Sequence, residues 1–229
     1  MNKNTPSRLV IAFFDLDLTI LNINSASLWI KSEYKLGYLS LWQLLRAFYW
    51  LTRYHLGSAS MESALLSAFK TLKGHNVYAF NERIKNFYRD EVAHRVRSGA
   101  EQTIKSHQNQ GHLCYLCTNA SAALSSLFCE ALQLDGMICN HFEEKEGRFT
   151  GEPATQLCFG RGKLILAKRL AAEKSTTLDH CYFYTDSYSD LPLLEAVGYP
   201  FAVHPDQRLR RLANAAKWPI LNWDGEKDC

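Results

Sequence analysis

The chain has 229 residues, 47% of them hydrophobic and 21% charged, with a formal charge of +3 at neutral pH. That length carries one sizeable domain, or a core with a smaller insert, and the composition excludes a wholly disordered chain. So small a positive surplus does not argue for a nucleic-acid partner, and it fits an anionic small substrate equally well.

The opening MNKNTPSR is polar, and the apolar run behind it stops at Asp15. This is too short for the core of a signal peptide, so the expected compartment is the cytoplasm. The run LVIAFF (Leu9 to Phe14) shows no alternation and predicts a strand buried on both faces, as at the centre of a parallel sheet. Asp15 and Asp17 then fall at the carboxyl end of that strand, where open α/β sheets place their ligands. A spacing of two turns both side chains to one side if the extended geometry continues. Carboxylates so close repel and ask for a compensating charge. The alternative is a helix cap or turn pair, roles in which Asp is common.

Residues 22 to about 95 read as helical, with no convincing strand, and predict an insert between the first and second strands. Within it, LSLWQLLRAFYWLTRYHL (39–56) carries a narrow polar stripe of Gln43, Arg46 and Arg53. Its apolar arc is wider than a surface helix needs. Two arginines and a marginal length argue against a membrane span. Burial within the insert is the main expectation, and contact with a membrane surface the lesser one.

HLCYLC (112–117) predicts a second strand, ending in Thr118, Asn119, Ala120 and Ser121 ahead of a helical stretch, SAALSSLFCEALQL. Free backbone N–H groups at that helix start, with the Thr118 hydroxyl, suit a phosphate oxygen; helix capping explains the same hydroxyls equally well. Cys114 and Cys117 form a C-x-x-C, but an extended backbone turns them to opposite faces, and no second pair has zinc spacing. The seven cysteines therefore read as reduced, buried thiols.

GMIC (136–139) predicts a third strand and EEKEGRFTG (143–151) a small hairpin turning at Gly147. In FGRGKLILAKRL, Lys163 stands at a helix start after two glycines. The segment is no nucleotide-binding phosphate loop, because Leu157 and Leu164 occupy positions that need Gly and Ser or Thr. A helix dipole disfavours a lysine there, so Lys163 calls for an anion or a carboxylate nearby, unless it is a solvated surface residue. HCYFYT (180–185) predicts a further strand, followed by Asp186, Asp190 and a helix with Pro192 in its first turn. A last strand is expected at YPFAV (199–203). Helix and loop capping would account for Asp186 and Asp190. If the sheet instead sets this strand beside the first, four aspartates at −1 each meet the single +1 of Lys163. Such a site invites a hard cation with oxygen ligands, magnesium above all.

Strands alternating with helices predict an α/β protein with a mostly parallel sheet flanked by helices. D-x-D-x-T after a strand, a Thr ending a second strand, a distal Lys and then D-x-x-x-D resembles the haloacid dehalogenase superfamily. The match spans nearly the whole chain, and four motifs in order are far more specific than any one. FFDLDLT, GRFTG, GKL and YTDSYSDLPLLEAVG look like subfamily IB, the phosphoserine-phosphatase-like branch.

The resemblance implies a Rossmann-like core of residues 1–21 and 96–229, with a helical C1-type cap, 22–95, inserted between the first two motifs. It implies a Mg²⁺-dependent phosphatase acting on a small phosphorylated alcohol, with Asp15 as nucleophile and Asp17 as general acid and base. Thr118, Asn119 and Lys163 would hold the phosphoryl oxygens, and Lys163 would offset the charge of Asp15. Asp15, Asp186 and the backbone carbonyl of Asp17 would hold the metal, with Asp190 outside them or acting through water. Leu18 stands where many members have Gly or another small residue. Asn24, nine residues after Asp15, stands where phosphoserine phosphatases carry a Glu for the substrate ammonium, which puts phosphoserine in doubt. Asn24 and Ser25 are thus expected either to meet substrate or to shape a turn. Related proteins act on phosphoserine, histidinol phosphate and phosphatidylglycerophosphate, so a lipid phosphate is an alternative substrate. A non-enzymatic phosphate-binding or sensing protein is a second alternative, against which the intact D-x-D argues.

Overall fold

The first apolar run becomes β1 (Ile11–Phe14), every residue of it buried, in a computed structural model that describes residues 9–42 and 61–224. β1 lies between β2 (Leu113–Ser121) and β6 (Cys181–Thr185). β3 (Gly136–Asn140) lies beyond β2; β7 (Tyr199–Val203) and β8 (Ile220–Leu221) continue past β6. All five pairings are parallel. The chain builds outward from β1 on one side and then returns to build on the other, so the order reverses beside β1. The carboxyl end of β1 is therefore the switch point at which such sheets open a crevice.

Period-two alternation divides the core into two layers. Ala12, Phe14, Cys114 and Leu116 face one layer, with Ala100 and Ile104 of α4 (Ser98–Asn109) and Leu124 and Phe128 of α5 (Ala122–Ala131). Ile11, Phe13, Cys117 and Phe183 face the other. That second layer is closed by α6 (Arg161–Glu173), α7 (Leu191–Leu194) and α8 (Gln207–Ala216). Cys114 and Cys117 thus lie on opposite faces, as their spacing predicts, and the described cysteines are free thiols.

Among the described residues, three α-helices stand between β1 and β2: α1 (Ser25–Lys35), α2 (Met61–Thr71) and α3 (Val77–Phe87). The two connections to the core run side by side. Leu21 and Val96 form an antiparallel bridge, Asn22 N donates to Arg95 O (3.1 Å), and Arg97 N donates to Ile20 O (2.8 Å). The expected hairpin is present as β4 (Phe142–Lys145) and β5 (Arg148–Pro153). It is pinned to the turn between α2 and α3 by Gly74 N to Phe149 O (2.8 Å), Phe149 N to His75 O (3.1 Å) and Arg148 Nη1 to Gly74 O (2.7 Å). Phe80 of α3 meets Phe149 edge-on at 5.2 Å, so apolar packing backs these bonds.

Most of the apolar stretch expected at 39–56 lies outside the described residues. Among those that are described, no helix is long and apolar enough to cross a membrane. β2 outruns its predicted end because its register with β3 shifts between Cys117 and Ser121, which carries Thr118 to Ala120 through an irregular bulge. Ser121 then caps α5 by accepting from Leu124 N (3.4 Å).

The turn leading to Lys163 depends on two glycines. Gly160 adopts φ 51° and ψ −118°, a conformation only glycine takes readily. A Cβ on Gly162 would lie 1.9 Å from Leu157 O. Gly162→Ala is therefore expected to lower stability by roughly 2 kcal/mol or more, through overpacking against backbone. Gly111, at φ 72° with open space beside it, should lose only about 1 kcal/mol as Ala. Denaturant unfolding of the two variants checks the contrast.

Candidate active site

Asp15 follows β1 directly and is held there by Asp15 N donating to Tyr184 O of β6 (2.9 Å). Asp17 (φ −66°, ψ 132°) keeps an extended backbone, and Leu18 turns the chain through φ 58°, ψ −2°. This left-handed turn explains why glycine is the easy residue there; leucine costs about 1 kcal/mol in that conformation. Leu18 is also 40% exposed beside the acids.

The two aspartates have different partners. Asp15, 6% exposed, accepts from Lys163 Nζ at 2.8 Å. Asp17 Oδ1 accepts from Ser25 N at 2.8 Å, which ties this carboxyl to the first turn of α1. Asn24 caps the same helix, its side-chain oxygen accepting from Ser27 N at 2.9 Å, while Ser25 is buried.

Lys163 Nζ also donates to Asp190 Oδ2 at 2.8 Å, and Lys163 and Asp190 are 3% and 1% exposed. Thr185 Oγ1 donates to the same Asp190 oxygen at 2.7 Å. Asp190 thus anchors Lys163, and Lys163 reaches across the sheet end to Asp15. Asp186, buried on the next turn, receives Thr19: Asp186 N donates to Thr19 Oγ1 (3.0 Å), and Thr19 Oγ1 lies 3.4 Å from Asp186 Oδ1. Thr118 is fully buried at the bulge, its Oγ1 accepting from Ala120 N (3.2 Å). The Asn119 carbonyl accepts from Asn140 Nδ2 (2.7 Å).

Asp15, Asp17, Lys163, Asp186 and Asp190, read from distant segments, therefore converge at one sheet edge. Thr185 and Asn140 carry no motif in the sequence, and Thr19 appears there only as the Thr of D-x-D-x-T. Thr19 and Thr185 do stand inside or beside the two acidic motifs, and their hydroxyls bind the acids' loops together. Among the described residues no three His, Cys, Asp or Glu side chains gather into a metal cluster. The carboxylate of Asp15 acts electrostatically on that of Asp186, and oxygen donors of this kind suit magnesium better than a transition metal.

Burial pushes the Asp15 carboxyl up to about 7; Lys163 draws it down, and the charges of Asp190 and Asp17 raise it again. Burial likewise pushes Asp186 up to about 8, with Asp15 and Asp190 adding to the rise. The Asp17 carboxyl is raised by desolvation against the lowering effect of Ser25. For Lys163, burial lowers and the carboxylates of Asp15 and Asp190 more than restore, leaving the ammonium well above its usual range. One ammonium does not fully offset the acids, and the residual repulsion is what a cation would remove.

The cavity of about 320 Å³ on the sheet's flank, lined by Thr103, His107, Tyr182 and Tyr184 among others, contains no carboxylate and is separate from this site.

The profile of the haloacid dehalogenase-like hydrolases matches residues 12–195. A probable phosphatase of Mycobacterium tuberculosis is 29% identical over 221 residues, covering 95% of this chain and 77% of that protein. A phosphoserine phosphatase of the same organism is 27% identical over 216 residues, covering 93% of this chain and 70% of its own length. A crystal structure of a protein of unknown function from Bordetella pertussis superposes with a TM-score of 0.87 at 27% identity, covering 94% of this chain and 99% of that one. The chain belongs to the haloacid dehalogenase-like hydrolases. Within that family it is phosphoserine-phosphatase-like.

In the presence of a chelator, Asp15 and Asp186 keep protons to about 7 and 8 in the folded chain, against 3.8 when unfolded. The folded state then binds more protons, so this stability is fully present below about pH 4 and lost as pH rises through those values. With EDTA, the melting temperature is expected to fall between pH 5 and pH 8, and to fall less steeply in Asp186→Asn.

Proposed function

We propose that this protein is a Mg²⁺-dependent phosphomonoesterase that carries the phosphoryl group on Asp15 and acts on a small phosphorylated alcohol in the cytoplasm. The observation that carries the reading is the buried contact of Lys163 with Asp15 at 2.8 Å. It fixes a carboxylate at the mouth of the sheet, beside a second acid with a different environment.

Asp15 attacks phosphorus in line as the bond to the ester oxygen breaks, and the departing alcohol takes a proton from Asp17. The raised Asp17 carboxyl supports that proton's being present at the start. Asp17 then takes a proton from water as that water attacks the phosphorus of the aspartyl-phosphate, which releases inorganic phosphate and restores Asp15. Because Asp17 is bound to Ser25 N, its orientation is set by α1. Two acids two residues apart thus divide the work according to their environments.

Thr118, Asn119 and Lys163 hold the phosphoryl oxygens. The Thr118 oxygen accepts from Ala120 N, which leaves its own O–H to donate. Asp15, the Asp17 backbone carbonyl and Asp186 would hold Mg²⁺, with Asp190 behind Lys163; the ion would supply charge neutralisation for a loose phosphoryl transfer. Helices α1, α2 and α3 belong to a cap over the site, a reading supported by the Asp17–Ser25 bond and by the paired connections at Leu21 and Val96. The Asn24 amide serves α1 and is neutral, so an ammonium-bearing substrate such as phosphoserine finds no ion-pair partner there.

Asp15→Asn is expected to abolish both turnover and labelling by beryllofluoride, and Asp17→Asn to slow hydrolysis of alkyl phosphates by roughly 10²- to 10⁴-fold. Full activity in Asp15→Asn would overturn the nucleophile assignment. A panel of phosphorylated metabolites, assayed for phosphate release with and without Mg²⁺, tests the substrate class. A small phosphate ester without an ammonium group is expected to exceed both phosphoserine and a detergent-solubilised lipid phosphate.

A further inference from the structure

We propose that Asn140, outside every motif of the site, is a positioning residue that sets the width of the phosphate cradle by bridging its two walls. The proposal rests on the phosphatase reading above.

Asn140 ends β3 and is 2% exposed. Where the β2–β3 register slips between Cys117 and Ser121, the Asn119 carbonyl is met by the Asn140 side chain, Nδ2 donating at 2.7 Å. On its other side, Asn140 Oδ1 accepts from Cys158 N at 2.8 Å. One carboxamide therefore satisfies an acceptor on the Thr118–Asn119 wall and a donor at the root of the Lys163 turn.

From Cys158 the chain reaches Lys163 through a stiff path. Gly162 N donates to Phe159 O (2.8 Å), Lys163 N donates to Gly160 O (3.1 Å), and Leu157 O sits where a Gly162 Cβ would be. A shift of Cys158 is thus passed to Lys163, while a shift of Asn119 is passed to the adjacent Thr118. A phosphoryl group gripped from both walls needs their separation fixed to a fraction of an ångström, since misplacement of about 1 Å costs on the order of 10²-fold in rate. The bridge needs a donor and an acceptor on one short arm, which asparagine supplies and neither aspartate nor leucine of similar size does. Ionised aspartate would put a second acceptor against the Asn119 carbonyl.

The test uses Asn140→Asp and Asn140→Leu in the full chain, with inorganic phosphate as a competitive inhibitor and Mg²⁺ titrated separately. Folding is checked by melting temperature. Folded variants are expected to lose on the order of 10- to 100-fold in phosphate affinity and in kcat/KM. The Mg²⁺ concentration for half activity should stay within about twofold, because Asp15 and Asp186 are not partners of Asn140. A general loosening of the fold would move the metal response as well. If the Leu variant does not fold, Asn140→Ser, whose hydroxyl can reach at most one partner, is read in the same assay. Wild-type phosphate affinity and kcat/KM in a folded variant, or an equal loss of Mg²⁺ response, would overturn the role of Asn140. Absence of phosphomonoesterase activity in the wild type would instead overturn the functional reading beneath it.

Discussion

A single buried ammonium holds the site together. Lys163 lies 2.8 Å from both Asp15 and Asp190, and all three side chains are nearly sealed from water. Removing a partner from such a buried pair typically costs about 3–5 kcal/mol, because the remaining charge is left uncompensated. The fold therefore joins residues 148 positions apart to keep that charge balanced. It balances only in part: Asp15 remains raised by burial and by the charges of Asp190 and Asp17, and Asp186 by burial and by the charges of Asp15 and Asp190. On the proposed mechanism, a hard cation would offset the excess negative charge and let a phosphoryl group approach Asp15 as nucleophile.

Around this pair, short hydroxyl bridges set the remaining groups. Thr19 joins the loop after β1 to Asp186, and Thr185 steadies the Asp190 oxygen that Lys163 uses. Asp17 bonds to the N-terminal turn of α1, so the same loop serves both the sheet edge and the first helix of the insert. The hairpin of β4 and β5 is joined to the α2–α3 turn by backbone bonds. Arg97 closes the rim, with its guanidinium on Asp224 and its backbone N–H on Ile20 O.

Much of this was legible because buried parallel strands announce themselves as unbroken apolar runs. LVIAFF and HCYFYT have too little polarity to face solvent, and acids placed directly after them must fall at the sheet's carboxyl edge. β8 was not legible, since two residues carry no period, nor was the extension of β2, since a bulge leaves no mark that propensity can read. From sequence Asn24 reads as either a turn residue or a substrate contact, and the structure makes it the N-cap of α1 through its bond to Ser27 N. Asn140 is not legible in the sequence because its two partners, Asn119 and Cys158, are brought together only by the folded chain. The Thr19 and Thr185 hydroxyls lay in plain view beside the acids, but their partners could not be assigned without the sheet order.

The account turns on Asp15 forming a bond to phosphorus. Its most direct test is to mix the Asp17→Asn variant with Mg²⁺ and an aryl phosphate, whose leaving group needs no proton. After an acid quench, the chain is mapped by peptide mass. Loss of the Asp17 carboxylate should slow water attack on the intermediate, so the phosphoryl adduct is expected on the peptide containing Asp15. Phosphate released with no adduct at any time, or an adduct on a different residue, would contradict the account.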